Sequence, residues 1–129
     1  MTTCGVWPRP RGLVAVLTAG GHSRAITVAP TDDARWGLAQ RLAATGTELV
    51  VDEDLLGADP VASVARRAGV TVWIAAAPLV TALRLAAGVA HRGARPSAAL
   101  LARLPAIPWL RSHLRQLDAP EDERQIQLL

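Results

Sequence analysis

Two helix–glycine–strand units set end to end constrain this chain more than any other feature. In the first, Thr31-Asp32-Asp33 reads as a helix start. Thr31 can cap, and the aspartates complement the positive end of the helix. Apolar residues at Trp36, Leu38-Ala39 and Leu42-Ala43 recur at helical spacing. Gly46 is placed to close the helix, and Glu48 to Val51 follows as a short strand. In the second unit, Pro60 suits a first helical turn, Val61 to Ala68 forms the helix and Gly69 ends it. The continuous apolar run from Val70 to Ala75 then reads as a strand buried on both faces. Such units imply right-handed crossovers and a parallel section of sheet.

Before the first unit, Leu13 to Thr18 and Ser23 to Ala29 flank Ala19-Gly20-Gly21-His22, a turn signal between two strands. Pro30 ends the second strand. The sheet is therefore expected to be mixed, with an N-terminal β-hairpin. After Pro78 the pattern predicts three helices: one to about Ala87, one over Ser97 to Leu104, and one over Trp109 to Leu117. The expected fold class is α/β, a single domain with a helical C-terminal part. The expected boundaries are an extended arm over 1–11, the domain over 12–117 and a flexible tail over 118–129. At 129 residues there is no room for two ordinary cores.

Several classes are excluded at once. Cys4 is the single cysteine, so neither an intramolecular disulfide nor a cysteine-built zinc cage can form. The longest apolar run, Val70 to Val80, is too short to cross a bilayer and is cut by Pro78. No signal peptide is visible, and a cytoplasmic setting is expected. All 14 basic residues are arginine, which puts the pI near 10.9 on a formal charge of only +3. Arginine stays protonated where lysine would titrate, so the pI alone says little about partners.

The acidic loop Asp52-Glu53-Asp54 directly follows a strand. Sites in open α/β sheets lie at the carboxyl ends of strands, and carboxylates there can hold Mg²⁺. The order of hairpin, helix, strand, acidic residue, helix, strand and helix resembles the ribonuclease H-like fold. It is closest to resolvase-type and IS110-type transposase N-terminal domains, over roughly residues 12–88. The matching segment is Arg41-Leu42-Ala43-Ala44-Thr45-Gly46-Thr47-Glu48-Leu49-Val50-Val51-Asp52. The resemblance implies a third hairpin strand, which is missing from this reading of the residues, a metal-binding aspartate on the first strand, and two metals clamped by carboxylates from several strands. Leu13 to Thr18 carries no acidic residue. The resemblance therefore implies a degenerate copy used for binding, without a cofactor. The alternative is a Mg²⁺-dependent nuclease using Asp52, Glu53 and Asp54.

The other candidates are dispersed. His22, His91 and His113 share no helical i, i+4 relation, so no local metal motif exists. A Cys4–histidine dyad would rest on the arm. Between Pro60 and Leu117 lie eight arginines and no acidic residue. Among them, Arg92 and Arg95 flank Gly93, and Arg111 and Arg115 stand one helical turn apart. These four are the candidate nucleic-acid contacts. Trp109 is a possible stacking ring, although Pro108 and Leu110 beside it suit core packing. Gln125-Ile126-Gln127-Leu128-Leu129 resembles the bacterial sliding-clamp-binding peptide. Gln125 matches its leading glutamine, Ile126 and Leu128 its apolar anchors, and Leu129 stands for the final aromatic residue. Such a peptide inserts apolar anchors into a preformed groove.

The expected function is a non-catalytic interaction module in bacterial DNA metabolism. It has an arginine-rich face and a C-terminal peptide that docks on a protein partner such as the sliding clamp. A third possibility is a homodimeric structural protein joined through Leu100-Leu101-Leu104.

Overall fold

The computed structural model describes residues 2–117. Six strands form one mixed sheet in the order β3-β2-β1-β4-β5-β6. The opening strands are β1 (Thr2–Arg9), β2 (Gly12–Ala19) and β3 (His22–Val28), paired antiparallel. The parallel section joins β1 to β4 (Glu48–Asp52), and β4 to β5 (Val72–Ala75). Last comes β6 (Leu114–Gln116), antiparallel on the edge of β5.

Helices cover both faces of the sheet. On one face lie α1 (Asp32–Ala44), α2 (Leu55–Ala58) and α3 (Val61–Arg67). They pack on Cys4, Val6, Leu13, Ala15, Leu49, Val51, Val72 and Ile74. On the other face lie α4 (Ala77–Ala86), α5 (Ala94–Arg103), a 3₁₀ turn (Leu104–Ala106) and α6 (Pro108–Arg111). These meet Val14, Val16, Val50 and Ala75. Alternate residues of each strand thus serve opposite layers, as the pleat requires. The α/β class and the single mixed sheet are as the sequence predicts.

The first helix forms for the expected reasons. Thr31 Oγ1 accepts from the Ala34 N–H at 3.1 Å, with Asp32 and Asp33 in the first turn. At the other end Gly46 takes φ 64°, and the N–H groups of Gly46 and Thr47 close on the carbonyls of Ala43 and Leu42. Only Leu38, Ala39 and Leu42 of this helix are buried; Trp36 is 45% exposed. Trp36 lies two residues, about 200°, from Leu38 on a 3.6-residue helix, so it falls off the buried stripe.

Three expectations are corrected. First, residues 1–11 are not an arm: Thr2–Arg9 is an inner strand of the sheet, with Cys4 and Val6 fully buried. The sheet therefore begins at Thr2, not at residue 12. A Cys4–histidine dyad goes with the arm. Burial pushes the Cys4 thiol up to about 12, against a weaker pull from Arg41, so it stays protonated and inert.

Second, the segment over Trp109 to Leu117 is not one helix. α6 stops at Arg111, and Leu114–Gln116 runs as β6. Leu114 packs on one face of the sheet and Leu117 on the other, an arrangement an extended chain reaches and a helical turn does not. Trp109, expected to pack inward, is 67% exposed.

Third, Leu100-Leu101-Leu104 is not one outward apolar face: Leu101 and Leu104 are buried in the chain's own core, and Leu100 alone of the three is half-buried. No helix of the described residues is long and apolar enough to cross a membrane.

Candidate functional site

Asp52 ends β4 and is half-buried on the α4–α5 side of the sheet. The parallel register runs Thr3↔Glu48, Cys4↔Leu49 and Gly5↔Val50. Carried two residues further, it brings Trp7 level with Asp52. Over the Trp7 ring, 4.4 Å from its centroid, lies the guanidinium of Arg84 from α4. Arg84 Nε donates to Ser97 Oγ at 2.9 Å, and another guanidinium nitrogen donates to the Ala90 carbonyl at 3.1 Å. Ser97 is buried in the first half of α5, and its hydroxyl donates to the Gly93 carbonyl at 3.3 Å. Four segments of the chain, β1, α4, the α4–α5 connection and α5, therefore fix one ring and one cation whose charge reaches a strand-end carboxylate.

The three acidic residues of the loop do not converge. Asp52 Oδ1 accepts from the Asp54 N–H at 3.1 Å, an Asx turn. Glu53 Oε1 turns to the first residue of α4 and accepts from the Ala77 N–H at 3.3 Å. Asp54 is exposed. Among the described residues, no three His, Cys, Asp or Glu side chains group as metal ligands. A Mg²⁺ site also needs free carboxylate oxygens facing one point. Here one oxygen of Asp52 and one of Glu53 are bound to different backbone N–H groups, those of Asp54 and Ala77, and the nearby charge is a guanidinium. The residues present do not fit the metal pair that the ribonuclease H-like resemblance implies.

Burial raises the Asp52 carboxyl above its ordinary range. The Asp54 N–H opposes this, the charges of Asp54 and Glu53 add to it, and Arg84 opposes it more weakly. A raised carboxyl means the folded chain holds the proton more tightly than the unfolded chain. Ionised Asp52 then costs stability at neutral pH, and the cost vanishes below the ordinary carboxylate range. Asp52→Asn keeps the Oδ1 acceptor and loses the charge. Thermal melts are expected to place its midpoint above the parent's at neutral pH, with the two converging below a pH of about 4. A lower midpoint at neutral pH would contradict this account.

The predicted arginines separate. Arg92, before α5, and Arg95, in its first turn, line one groove of about 490 Å³ together with Arg9 from the end of β1. Arg111 and Arg115 do not share a helical face: Arg111 ends α6 and Arg115 lies in β6. Arg111 sits over the Trp73 ring, 5.5 Å from its centroid, and the Trp73 indole N–H donates to Glu48 Oε1 at 3.2 Å. Arg115 is also engaged within the chain. His22, His91 and His113 are each exposed and lie apart in the fold, His22 at the start of β3, His91 in the α4–α5 connection and His113 between α6 and β6. Gln125, Ile126, Leu128 and Leu129 lie outside the described residues.

Sequence reasoning missed Trp7, Arg9, Arg84 and Ser97. One signal pointed to Arg84: it is the only charged residue of α4, whose other residues are apolar except Thr81. No protein-family model matches the chain, and no curated protein matches it.

Proposed function

We propose that the protein is a non-catalytic interaction module of bacterial DNA metabolism, a ribonuclease H-like domain whose strand-end site holds a ring and a cation where the family holds metals. One observation carries this reading: the Arg84 guanidinium stacked on Trp7, level with Asp52. The resemblance implies a third antiparallel strand, which β1 supplies, and a metal-binding aspartate on the first strand. That strand, Thr2–Arg9, contains no acidic residue. A fixed cation beside Asp52 also repels a divalent ion. The arginine-rich surface and the peptide Gln125 to Leu129 are the features left to carry function, the peptide by docking on the sliding clamp in a cytoplasmic setting.

Incubation of the purified chain with DNA and Mg²⁺ is expected to give no cleavage, for the parent and for Asp52→Ala alike. Cleavage that Asp52→Ala abolishes would overturn the reading in favour of the nuclease. Calorimetry against the sliding clamp tests the docking part. Removal of the last five residues is expected to abolish binding, and unchanged affinity would remove the clamp as the partner.

A further inference from the structure

We infer that the groove lined by Arg9, Arg92 and Arg95 binds the phosphodiester backbone of nucleic acid. The inference deepens the reading above, on which it rests, by assigning a ligand class to one place on the molecule. The groove lies on the open side of β2 and β3, where α5 begins, and Ala25 and Thr27 of β3 help form it. Its three arginines are exposed and come from β1, the α4–α5 connection and α5. None of the three is paired with an acid among the described residues, and no acidic residue lines the groove. Arg35, by contrast, is held by two aspartates. Unpaired guanidinium groups around one concavity present forked donors that match phosphate oxygens.

The chemistry of the lining also limits what is recognised. No aromatic residue lines the groove, and the ring next to it, Trp7, is already covered by Arg84. Bases therefore find no stacking platform of the kind single-strand binders use. The contact is with phosphates, so it is independent of sequence and steeply dependent on salt.

The test is fluorescence anisotropy of labelled single-stranded and duplex DNA with the full chain, in EDTA, across a salt series. The triple variant Arg9→Ala/Arg92→Ala/Arg95→Ala is compared with Arg24→Ala/Arg41→Ala/Arg67→Ala. The second set removes the same charge from β3, α1 and α3, at residues that do not line the groove. The groove triple is expected to weaken binding at least about tenfold and to reduce the slope of log K against log salt by roughly 2 to 3. The matched triple is expected to change affinity by less than about threefold, since distant charges are screened. Equal losses in the two triples, an unchanged groove triple, or no binding by the parent would overturn the inference. So would displacement of DNA by poly-glutamate at lower charge concentration than by unlabelled DNA, which would point to an acidic protein partner. If the groove triple fails to fold, the single changes Arg92→Gln and Arg95→Gln replace it, each expected to lower the slope by about one. EDTA removes any cleavage from the readout, so this inference and the non-catalytic reading fail separately.

Discussion

Gly5→Ala is expected to destabilise the chain by about 3 kcal/mol or more, the upper end of what an overpacked core costs. A Cβ at Gly5 would stand 2.0 Å from the Ala98 carbonyl oxygen and 2.7 Å from the Ala102 nitrogen, both backbone atoms of α5. No side chain can swing aside to relieve this, so the whole helix must lift from β1. Lifting it also strains the bond from the buried Thr3 hydroxyl to the Ala102 carbonyl, 2.5 Å long. Against a total stability of about 5–15 kcal/mol, such a loss brings the fold to its margin. Urea denaturation checks it, and a midpoint within error of the parent's would show that α5 is not seated on β1 as described. Gly37 gives the opposite sign. It lies in α1 with nothing within 4 Å of its would-be Cβ. Gly37→Ala is expected to stabilise by roughly 0.5–1 kcal/mol, the ordinary helical difference between the two residues.

The second large effect is expected at Arg35 and Asp59. Arg35 Nε donates to Asp59 Oδ1 at 3.1 Å and its terminal nitrogen to Oδ2 at 3.3 Å, a two-pronged pair tying α1 to the start of α3. The side chains are only 13% and 12% exposed, so this is close to a buried ion pair. Removing Arg35 strands the Asp59 charge, and a cost of about 2–3 kcal/mol is expected for Arg35→Ala, slightly reduced by the residual exposure. Asp59 does more: its Oδ1 also accepts from the Val61 N–H at 2.8 Å, capping α3. Asp59→Ala is therefore expected to cost about 1 kcal/mol beyond Arg35→Ala. Asp59→Asn, which keeps the cap, should cost less than Asp59→Ala. The double variant should be less destabilised than the two single changes together, because no charge is left stranded. Additive losses would remove the coupling.

What could be read in the sequence was whatever depended on near neighbours. The two helix–glycine–strand units rest on local caps and periodicity, and both stand. β1 did not announce itself because Gly5, Pro8 and Pro10 look like breakers. Its pairing with β4 ends at Gly5, so Pro8, which has no N–H to give, lies where only β2 is alongside. Glycine at position 5 is a requirement of the crossing helix and not a turn. The last helix failed for another reason: Leu110, Leu114 and Leu117 fit helical spacing as well as a turn followed by a strand. The acidic residue at the end of β4 was visible, but its surroundings were not. Trp7, Arg84 and Ser97 meet only through pairings between distant parts of the chain, which no local pattern encodes. Arg92 and Arg95 were visible as neighbours of Gly93, whereas Arg9 joins them only once β1 is recognised as a strand.

The short strand β6 has a further consequence, for solubility. β5 reads Val-Trp-Ile-Ala, a run of high β-propensity without a charge or proline. Left as a bare edge, such a run is a template for joining the same edge of another molecule. β6 takes up those backbone groups, helped by the Leu117 N–H, which donates to the Val72 carbonyl at 2.8 Å. It is itself three residues long and carries Arg115 and Gln116 outward on exposed positions. A strand that places one residue, Leu114, in the core thus also acts as a guard. When it frays, the first sign would be turbidity rather than unfolding.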